Sequence, residues 1–527
     1  MGQRYEKNFD GIFIGNKNLF GHAVSLTLQK RNSRDNIDVF MKKYLYGASV
    51  QGIQGYIFAT NELKQIVGAS ELVERACTSL FSESLAAGAQ PVVTAAGNIK
   101  YIFSDRTALE NAVRLFPKLV AETAPGITVS QAVVTMDGDY ADFGCAVNEL
   151  ERRLMVQRNR PMKSLTAGLM AVERSRKTGL PAVECAAGDE FLDEPTIKKT
   201  AALADNMTTL KLMKKLTGED VTVREVALDI KDLTGRNDWI AVIHADGNGL
   251  GEVVARVGDA PDKLREFSLN LDNATKAAAQ KAYQDIGYFS LKLPVRPVVL
   301  SGDDMTVICR ADIAVEFVRS FLAAFEEETQ KLIGHKLTAC AGIAFIKSSY
   351  PFHYGYSLAE TLCAEAKRDA KSPEMKRDGL APSCLMMHKV QSGFIEDWAE
   401  IERKELTTKD KGSYVFGPYY LYEQPARWTV VQLESEAFRL TDGDDGNAAK
   451  TDIREWLTLM ADNVGLAKQK ANRVNAIGSK KIIKDSFNEA TKGVERGGKL
   501  HYPAYDMLSL VALEIKTKKD KTKTCTS

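Results

Sequence analysis

Val298 to Arg310 reads VVLSGDDMTVICR, two adjacent carboxylates set between two apolar runs. The runs Val298-Val299-Leu300 and Met305 to Cys309 predict buried strands. Ser301-Gly302-Asp303-Asp304 between them predicts a tight hairpin turn, where Gly and Asp are favoured. Two carboxylates at a hairpin tip repel each other, so they must be solvated, hydrogen-bonded or bound to a cation. Taken alone, a solvated turn and a cation site fit these residues equally well. A third carboxylate, Asp246, ends the apolar strand Ile240 to Ile243 within WIAVIHADGNGLG. Gly247, Gly249 and Gly251 follow it, a loop whose backbone can approach a ligand closely. Hard cations such as magnesium take oxygen ligands, commonly one or two carboxylates with substrate phosphates. A lone DGNG is equally an ordinary turn. Its spacing excludes a Rossmann fingerprint and a P-loop, and no Lys-Ser/Thr follows.

The elements that must position these residues are legible nearby. Leu337 to Ile346, LTACAGIAFI, predicts a buried strand, and Tyr350-Pro351 breaks it. Ser357 to Lys371 predicts a helix with Ser357 and Glu360 as a capping box and Leu358, Leu362 and Ala366 as its apolar stripe. Together these stretches resemble the CRISPR polymerase family, the large subunit of type III CRISPR effector complexes, whose palms are related to GGDEF cyclases. The resemblance rests on a strand ending in Asp-Gly-x-x-x-Gly, a hairpin carrying Ser-Gly-Asp-Asp, and a strand, Pro-containing loop and helix ending in Ala366-Lys367. It implies an α/β (α+β) fold with two ferredoxin-like, nucleotide cyclase-like palms, a mainly helical linker domain and a helical C-terminal domain. It also gives Lys367 a phosphate contact, although a solvated helix lysine is the plain alternative.

An internal repeat supports the tandem palm. Val92 to Phe103, VVTAAGNIKYIF, aligns without gaps on Val298 to Cys309, so Gly97 and Asn98 stand where Asp303 and Asp304 stand. Ile127 to Met136 likewise aligns on Leu337 to Ile346. The first copy keeps the apolar pattern and loses the carboxylates, which predicts a non-catalytic palm that packs on the active one and supplies part of a second nucleotide pocket. IQGYIF and LKQIVGASEL resemble the opening of the family's first palm; Lys43 to Phe58 predicts a strand with its continuation, and Leu63 to Leu85 a long helical region.

The 527 residues, 44% hydrophobic and 26% charged, predict a globular chain of several domains. A net charge of +1 gives no global case for nucleic acid or membrane. No apolar run reaches the ~20 residues that span a bilayer, and charge interrupts the N-terminus before a signal-peptide core or a convincing myristoylation pattern forms. Eight cysteines without C-x-x-C spacing predict a reducing cytoplasm, no disulfide framework and no zinc site. The expected divisions are an N-terminal extension over 1–40, the non-catalytic palm over 41–150, a linker domain over 151–236, the catalytic palm over 237–390, a helical domain over 391–515 and a charged tail over 516–527. None of the six histidines precedes an aspartate, so the family's HD nuclease domain is not expected. In the linker, Cys185 alone stands near the family's zinc finger, and one thiol cannot make a four-ligand site. Basic runs at Arg152-Arg153, Arg158, Arg160, Lys163, Lys198-Lys199 and Lys211 to Lys215 fit RNA or phosphate contacts and fit solvated faces. Thr441 to Ala449, TDGDDGNAA, predicts a loop that lacks an EF-hand's spacing.

The chemistry implied is phosphoryl transfer. Asp246, Asp303 and Asp304 are the expected catalytic residues and ligands to Mg2+ (or Mn2+), with Gly247, Asn248, Gly249, Ser301, Gly302 and Lys367 lining the nucleotide. Asn248 stands where many family members carry a second Asp, a weaker metal ligand that could hydrogen-bond ribose or phosphate. The 3′-hydroxyl of one ATP would attack the α-phosphorus of another, giving a cyclic oligoadenylate for antiviral defence. RNA, CRISPR effector subunits and self-association are the partners this implies. The alternatives are a structural large subunit that docks partners, a cyclic dinucleotide synthase acting alone, and a diguanylate cyclase proper, which SGDD in place of GGDEF argues against.

Overall fold

The computed structural model describes residues 42–513 except 96, 138–139, 141, 161–170, 204–205, 235–236, 288–291, 392, 394–396 and 477–479. The expected 1–40 extension, the tail from 516 and Lys163 lie outside the described residues.

The first sheet begins with β1 (Lys43–Gln51). The chain then turns at Gly52 into the short helix α1 (Ile53–Ile57), which corrects the expected strand continuation: Gly52 takes a left-handed φ of 70° that ends extended pairing. Helices α2 (Leu63–Cys77) and α3 (Ser79–Ser84) follow where a helical region was expected. Next come β2 (Gln90–Ala95), β3 (Asn98–Phe103), α4 (Arg106–Thr123), β4 (Thr128–Met136) and α5 (Phe143–Arg158). Asp105 starts α4 by accepting the backbone N–H groups of Thr107 and Ala108, an N-cap. The strand order is β2-β3-β1-β4, with every pair antiparallel. Helix α5 runs across the expected division at 150/151 and buries Leu150 and Leu154 in the same cluster as Leu45 and Val134 of the sheet.

The linker region holds the hairpin β5 (Ala182–Ala186) and β6 (Glu190–Asp193), then α6 (Glu194–Ala201) and α7 (Asn206–Thr217). Cys185 is exposed on β5. Several of the basic residues meet internal partners: Arg152 and Arg153 pair with Glu149, Lys214 with Asp220 and Lys215 with Glu74. Lys199 is buried and donates to the Tyr56 carbonyl oxygen at 2.7 Å.

The second sheet is built from β7 (Trp239–Gly247), β8 (Val295–Ser301), β9 (Asp304–Arg310), β10 (Ala339–Lys347), β11 (Cys384–Lys389) and β12 (Tyr419–Tyr420), in the order β8-β9-β7-β10-β11-β12. Between its strands run α8 (Leu250–Val257), α9 (Pro261–Asp285), α10 (Ala314–Ile333) and α11 (Phe352–Ala370). The repeat is physical. Ala95 pairs with Asn98 in the first hairpin and Ser301 with Asp304 in the second. Tyr44 of β1 lies between Phe103 and Thr135; Ala241 of β7 lies between Cys309 and Phe345. Carrying that register along the strands sets Ser49 of the first sheet at the place of Asp246. The first copy therefore presents Ser49, Gly97 and Asn98 where the second presents Asp246, Asp303 and Asp304.

Alternation along β7 divides its side chains between two cores. Ala241, Ile243 and Ala245 pack with α9 and α10, through residues such as Ala278, Phe317 and Phe321. Ile240 and Val242 pack in one cluster with α11 and with α2 of the first repeat, where Ile66 and Val67 are fully buried. The two repeats thus share a core across that face. Helix α11 starts at Phe352, after Pro351, so the expected Ser357–Glu360 capping box is corrected: both residues lie inside the helix, and the Ser357 carbonyl oxygen accepts from Thr361.

After α12 (Trp398–Glu405), the chain folds into α13 (Val430–Arg439), α14 (Gly443–Asp462), α15 (Val464–Ala476), α16 (Lys481–Thr491), the small hairpin β13 (Val494–Arg496) and β14 (Lys499–His501), and α17 (Ala504–Ala512). The expected loop at 441–449 is instead largely the first turns of α14. Asp444 and Asp445 sit in the first turn, where negative charge suits the helix N-terminus. Leu433, Trp456, Phe487 and Met507 join the core on the α10 side of the second sheet. Among the described residues, no helix is long and apolar enough to cross a membrane.

Candidate active site

Strand period places the site. His244 and Asp246 are two residues apart on β7, and Asp304 and Thr306 two apart on β9, so all four side chains point to the face shared with α11 and the first repeat. Ligand atoms of His244, Asp246 and Asp304 lie within 4.8 Å of one another, the only such group found among the described residues. His244 is 8% exposed, and its Nδ1 lies 3.2 Å from Thr306 Oγ1. Asp304 is the open member of the group.

Asp303 occupies the hairpin tip beside Gly247. A Cβ on Gly247 would lie 2.6 Å from Leu250 Cδ1 and 3.0 Å from Asp303 Cβ, so only glycine allows the β7 end and the hairpin tip to meet. Helix α9 clamps the turn from behind. Asp272 Oδ1 accepts the Gly302 N–H at 3.2 Å, and Thr275 Oγ1 donates to the Gly302 carbonyl oxygen at 2.5 Å. Lys276 pairs with Asp272 in turn. Ser301 pairs with Asp304 across the turn and lines the adjoining cavity.

Lys367 reaches in from α11, ion-paired with Asp246 and donating to the Gly247 carbonyl oxygen at 2.8 Å. Burial, then the charges of Asp304 and Asp246, push Asp303 above the usual carboxylate range. Asp304 opens toward the cavity on one side. On the other it is stripped of water by the protein around it, which together with the Asp246 charge pushes it up while Lys367 acts the other way. Burial holds His244 below the ordinary imidazole value, against the opposing charges of Asp246 and Glu360. Three carboxylates facing a single nearby ammonium, two of them pushed toward protonation, form a donor set that suits a divalent cation.

Two expected residues do not face this point. Asn248 is buried, its Nδ2 donating to Thr338 Oγ1 at 3.1 Å and to Cys340 Sγ at 3.3 Å. It anchors the loop to β10 and is not turned to a ligand. Gly249, at φ 72°, serves as the N-cap of α8.

A cavity of about 300 Å3 adjoins the cluster and is walled by both repeats. The second contributes His244, Asp304 and Tyr356, and the first contributes Gln51, Gly52 and Gln54. Gln54 Nε2 donates to Tyr356 Oη at 2.9 Å and to Glu360 Oε1 at 2.8 Å, and the Phe58 ring stacks on Tyr356 at 4.2 Å between centroids. Sequence reading missed His244, Gln54, Tyr356 and the α9 clamp. The alternation of β7 could have found His244; the others come from distant stretches with no local signal.

Residues 239–381 match the family model Cas10/Cmr2, second palm domain. No curated protein matches the chain. Among solved structures, the apo Csm1–Csm4 cassette is similar at 16% identity and TM-score 0.55, over 90% of this chain and 70% of that one. The same cassette in complex with AMPPNP gives 16% identity and TM-score 0.53, over 91% and 70%. With cA3 it gives 15% identity and TM-score 0.52, over the same shares. At these identities the solved structures speak for the fold, and the family model speaks for the palm that bears Asp246 and the Ser301–Asp304 turn. Residues 239–381 are thus similar to the second palm of Cas10/Cmr2, and the fold of the chain is similar to that of Csm1.

Proposed function

We propose that this chain is a metal-dependent nucleotidyltransferase that joins ATP into cyclic oligoadenylates as part of a cytoplasmic type III CRISPR effector complex. The observation that carries the reading is the Asp246–Asp304 cluster at the mouth of a cavity walled by both repeats, on a palm of the Cas10/Cmr2 family. In this reading the region over 237–390 is the catalytic palm and that over 41–150 its non-catalytic partner. The linker and C-terminal helices frame the pair, and a Csm4-type subunit and RNA are its partners. The chain is similar to Csm1 structures that hold AMPPNP and cA3.

Asp246 and Asp304, with Asp303 beside them, would hold Mg2+ or Mn2+, which supplies charge neutralisation and acidifies the attacking hydroxyl. The residues of the chain do the positioning. The clamp of Asp272 and Thr275 on Gly302 holds the hairpin tip rigid, so the two carboxylates need no reorganisation when substrate arrives. Lys367 meets the phosphates once released from Asp246. Gln54 and Tyr356 wall the cavity in which the nucleoside sits, so the first repeat contributes to the pocket although it lacks carboxylates. The 3′-oxygen bonds to the α-phosphorus of the next ATP as the bond to pyrophosphate breaks.

The structural-subunit reading is favoured by one observation: the Asn248 side chain, at the family's second Asp position, is spent on Thr338 and Cys340. Incubation of the purified chain with Mg2+ or Mn2+ and each NTP, followed by mass spectrometry, separates the two. Cyclic or linear oligoadenylates from the parent and none from Asp303→Ala/Asp304→Ala are expected. Absence of both product and ATP binding, with target RNA and partner subunits supplied, would favour the scaffold.

A further inference from the structure

His244 sits inside the carboxylate cluster, where the family resemblance assigns no ligand. It is 8% exposed, and a ring nitrogen lies within 4.8 Å of carboxylate oxygens of both Asp246 and Asp304. A neutral imidazole has one N–H and one lone pair. Its only described hydrogen bond is from Nδ1 to Thr306 Oγ1, at 3.2 Å. That contact has the form of the outer hydrogen bond that orients metal-bound histidines, in which one ring nitrogen is fixed by the protein and the other is presented to the ion. Thr306 faces the cluster from β9, directly opposite His244 in the strand register, so ring and partner are held by the sheet itself. Lys367, ion-paired with Asp246, is the charge that an ion would displace from that carboxylate.

We propose that His244 Nε2 is a third protein ligand to the ion held by Asp246 and Asp304, making the site a mixed nitrogen–oxygen site that takes Mn2+ and later first-row ions in preference to Mg2+. The proposal rests on the reading of the cluster as a divalent-cation site. The chemistry is general: Mg2+ favours all-oxygen shells, whereas imidazole favours transition ions. An Asp/Asp set would bind the two with little discrimination. Adding one imidazole raises affinity for Mn2+ over Mg2+ by about tenfold or more, on the scale by which single groups at metal sites tune affinity.

The test is pulsed electron paramagnetic resonance of Mn2+ bound to the full chain, without nucleotide. A nitrogen coupling that changes when histidine is labelled with nitrogen-15, and is lost in His244→Gln while Mn2+ still binds, is the expected result. Competition should show Mg2+ displacing Mn2+ more readily from His244→Gln than from the parent. Should His244→Gln fail to fold, the labelled parent still decides, since no other histidine among the described residues lies in such a cluster. Bound Mn2+ without histidine coupling overturns the proposal and leaves the cation site standing. Failure of the parent to bind Mn2+ at all, or binding that Asp304→Asn does not weaken, removes both.

Discussion

Lys367 closes the site from above: its ammonium is ion-paired with Asp246 and donates to the carbonyl oxygen of Gly247, 2.8 Å away. One cation thus holds the end of β7 in place and occupies a carboxylate that a divalent ion would need. The same group is a positive charge beside Asp304, which lines the cavity that a phosphate would enter. These roles oppose each other. Lys367→Met should therefore tighten Mn2+ binding, because Asp246 is freed, and weaken ATP binding by about tenfold, because a charge-assisted contact is lost. Mn2+ titration and ATP titration on the same variant check both signs. A variant that loses both affinities would place Lys367 in support of the loop alone.

Gly247 is the contact point between β7 and the hairpin. An added methyl would press on Leu250 and on Asp303 Cβ. Overpacking of this kind costs about 1–3 kcal/mol, and here the strain falls on the carboxylates themselves. Gly247→Ala should lower the melting temperature by several degrees and reduce cation affinity. Gly251→Ala, where a Cβ meets open space, should leave cation affinity unchanged.

Much of this arrangement was legible in the sequence, because the repeat was. The gapless match of Val92–Phe103 to Val298–Cys309 predicted two hairpins in one register, and the pairs Ala95–Asn98 and Ser301–Asp304 are that register. It also predicted which copy would be poor in carboxylates. What stayed hidden is non-local or locally ambiguous. Gln54 meets Glu360 across the join of the two repeats, a contact that no sequence period encodes. Asn248 reads as a ligand beside Asp246, two residues on and so on the same face by strand period, yet β7 ends at Gly247 and Thr338 and Cys340 take its amide. Ser357 fits a capping box, but Pro351 already fixes the helix entrance six residues earlier. The cluster at Asp444 reads as a loop by composition, although early acidic residues also suit a helix start.

A second buried carboxylate gives a clean pH signature away from the site. Asp506 on α17 accepts from Tyr419 Oη at 2.6 Å and is pushed up to about 7 by burial, with Tyr419 and Arg496 opposing. A carboxyl with a raised folded-state value stabilises the fold fully below its unfolded value and loses that contribution as pH rises through the folded one. The melting temperature should therefore fall between about pH 4 and pH 7 in the parent. Asp506→Asn, which keeps an acceptor for Tyr419 and does not titrate, should flatten that part of the profile. Equal slopes in parent and variant would show that Asp506 ionises freely.

Arg296 on β8 is the largest fully buried side chain, 1% exposed, and its Nε and Nη1 have no hydrogen-bond partner among the described residues. Burial alone draws its guanidinium down to about 10. An unpaired buried donor costs about 1–3 kcal/mol, whereas an apolar side chain of similar length would fill the same buried place opposite Ile308 in the β8–β9 register. Arg296→Met is therefore expected to hold or raise the melting temperature, and Arg296→Ala, which also leaves a cavity, to lower it. The pair of variants separates charge from volume. A fall in Arg296→Met as large as that in Arg296→Ala would mean that the guanidinium itself is being held by a partner, an anion or another chain, and that its burial serves binding.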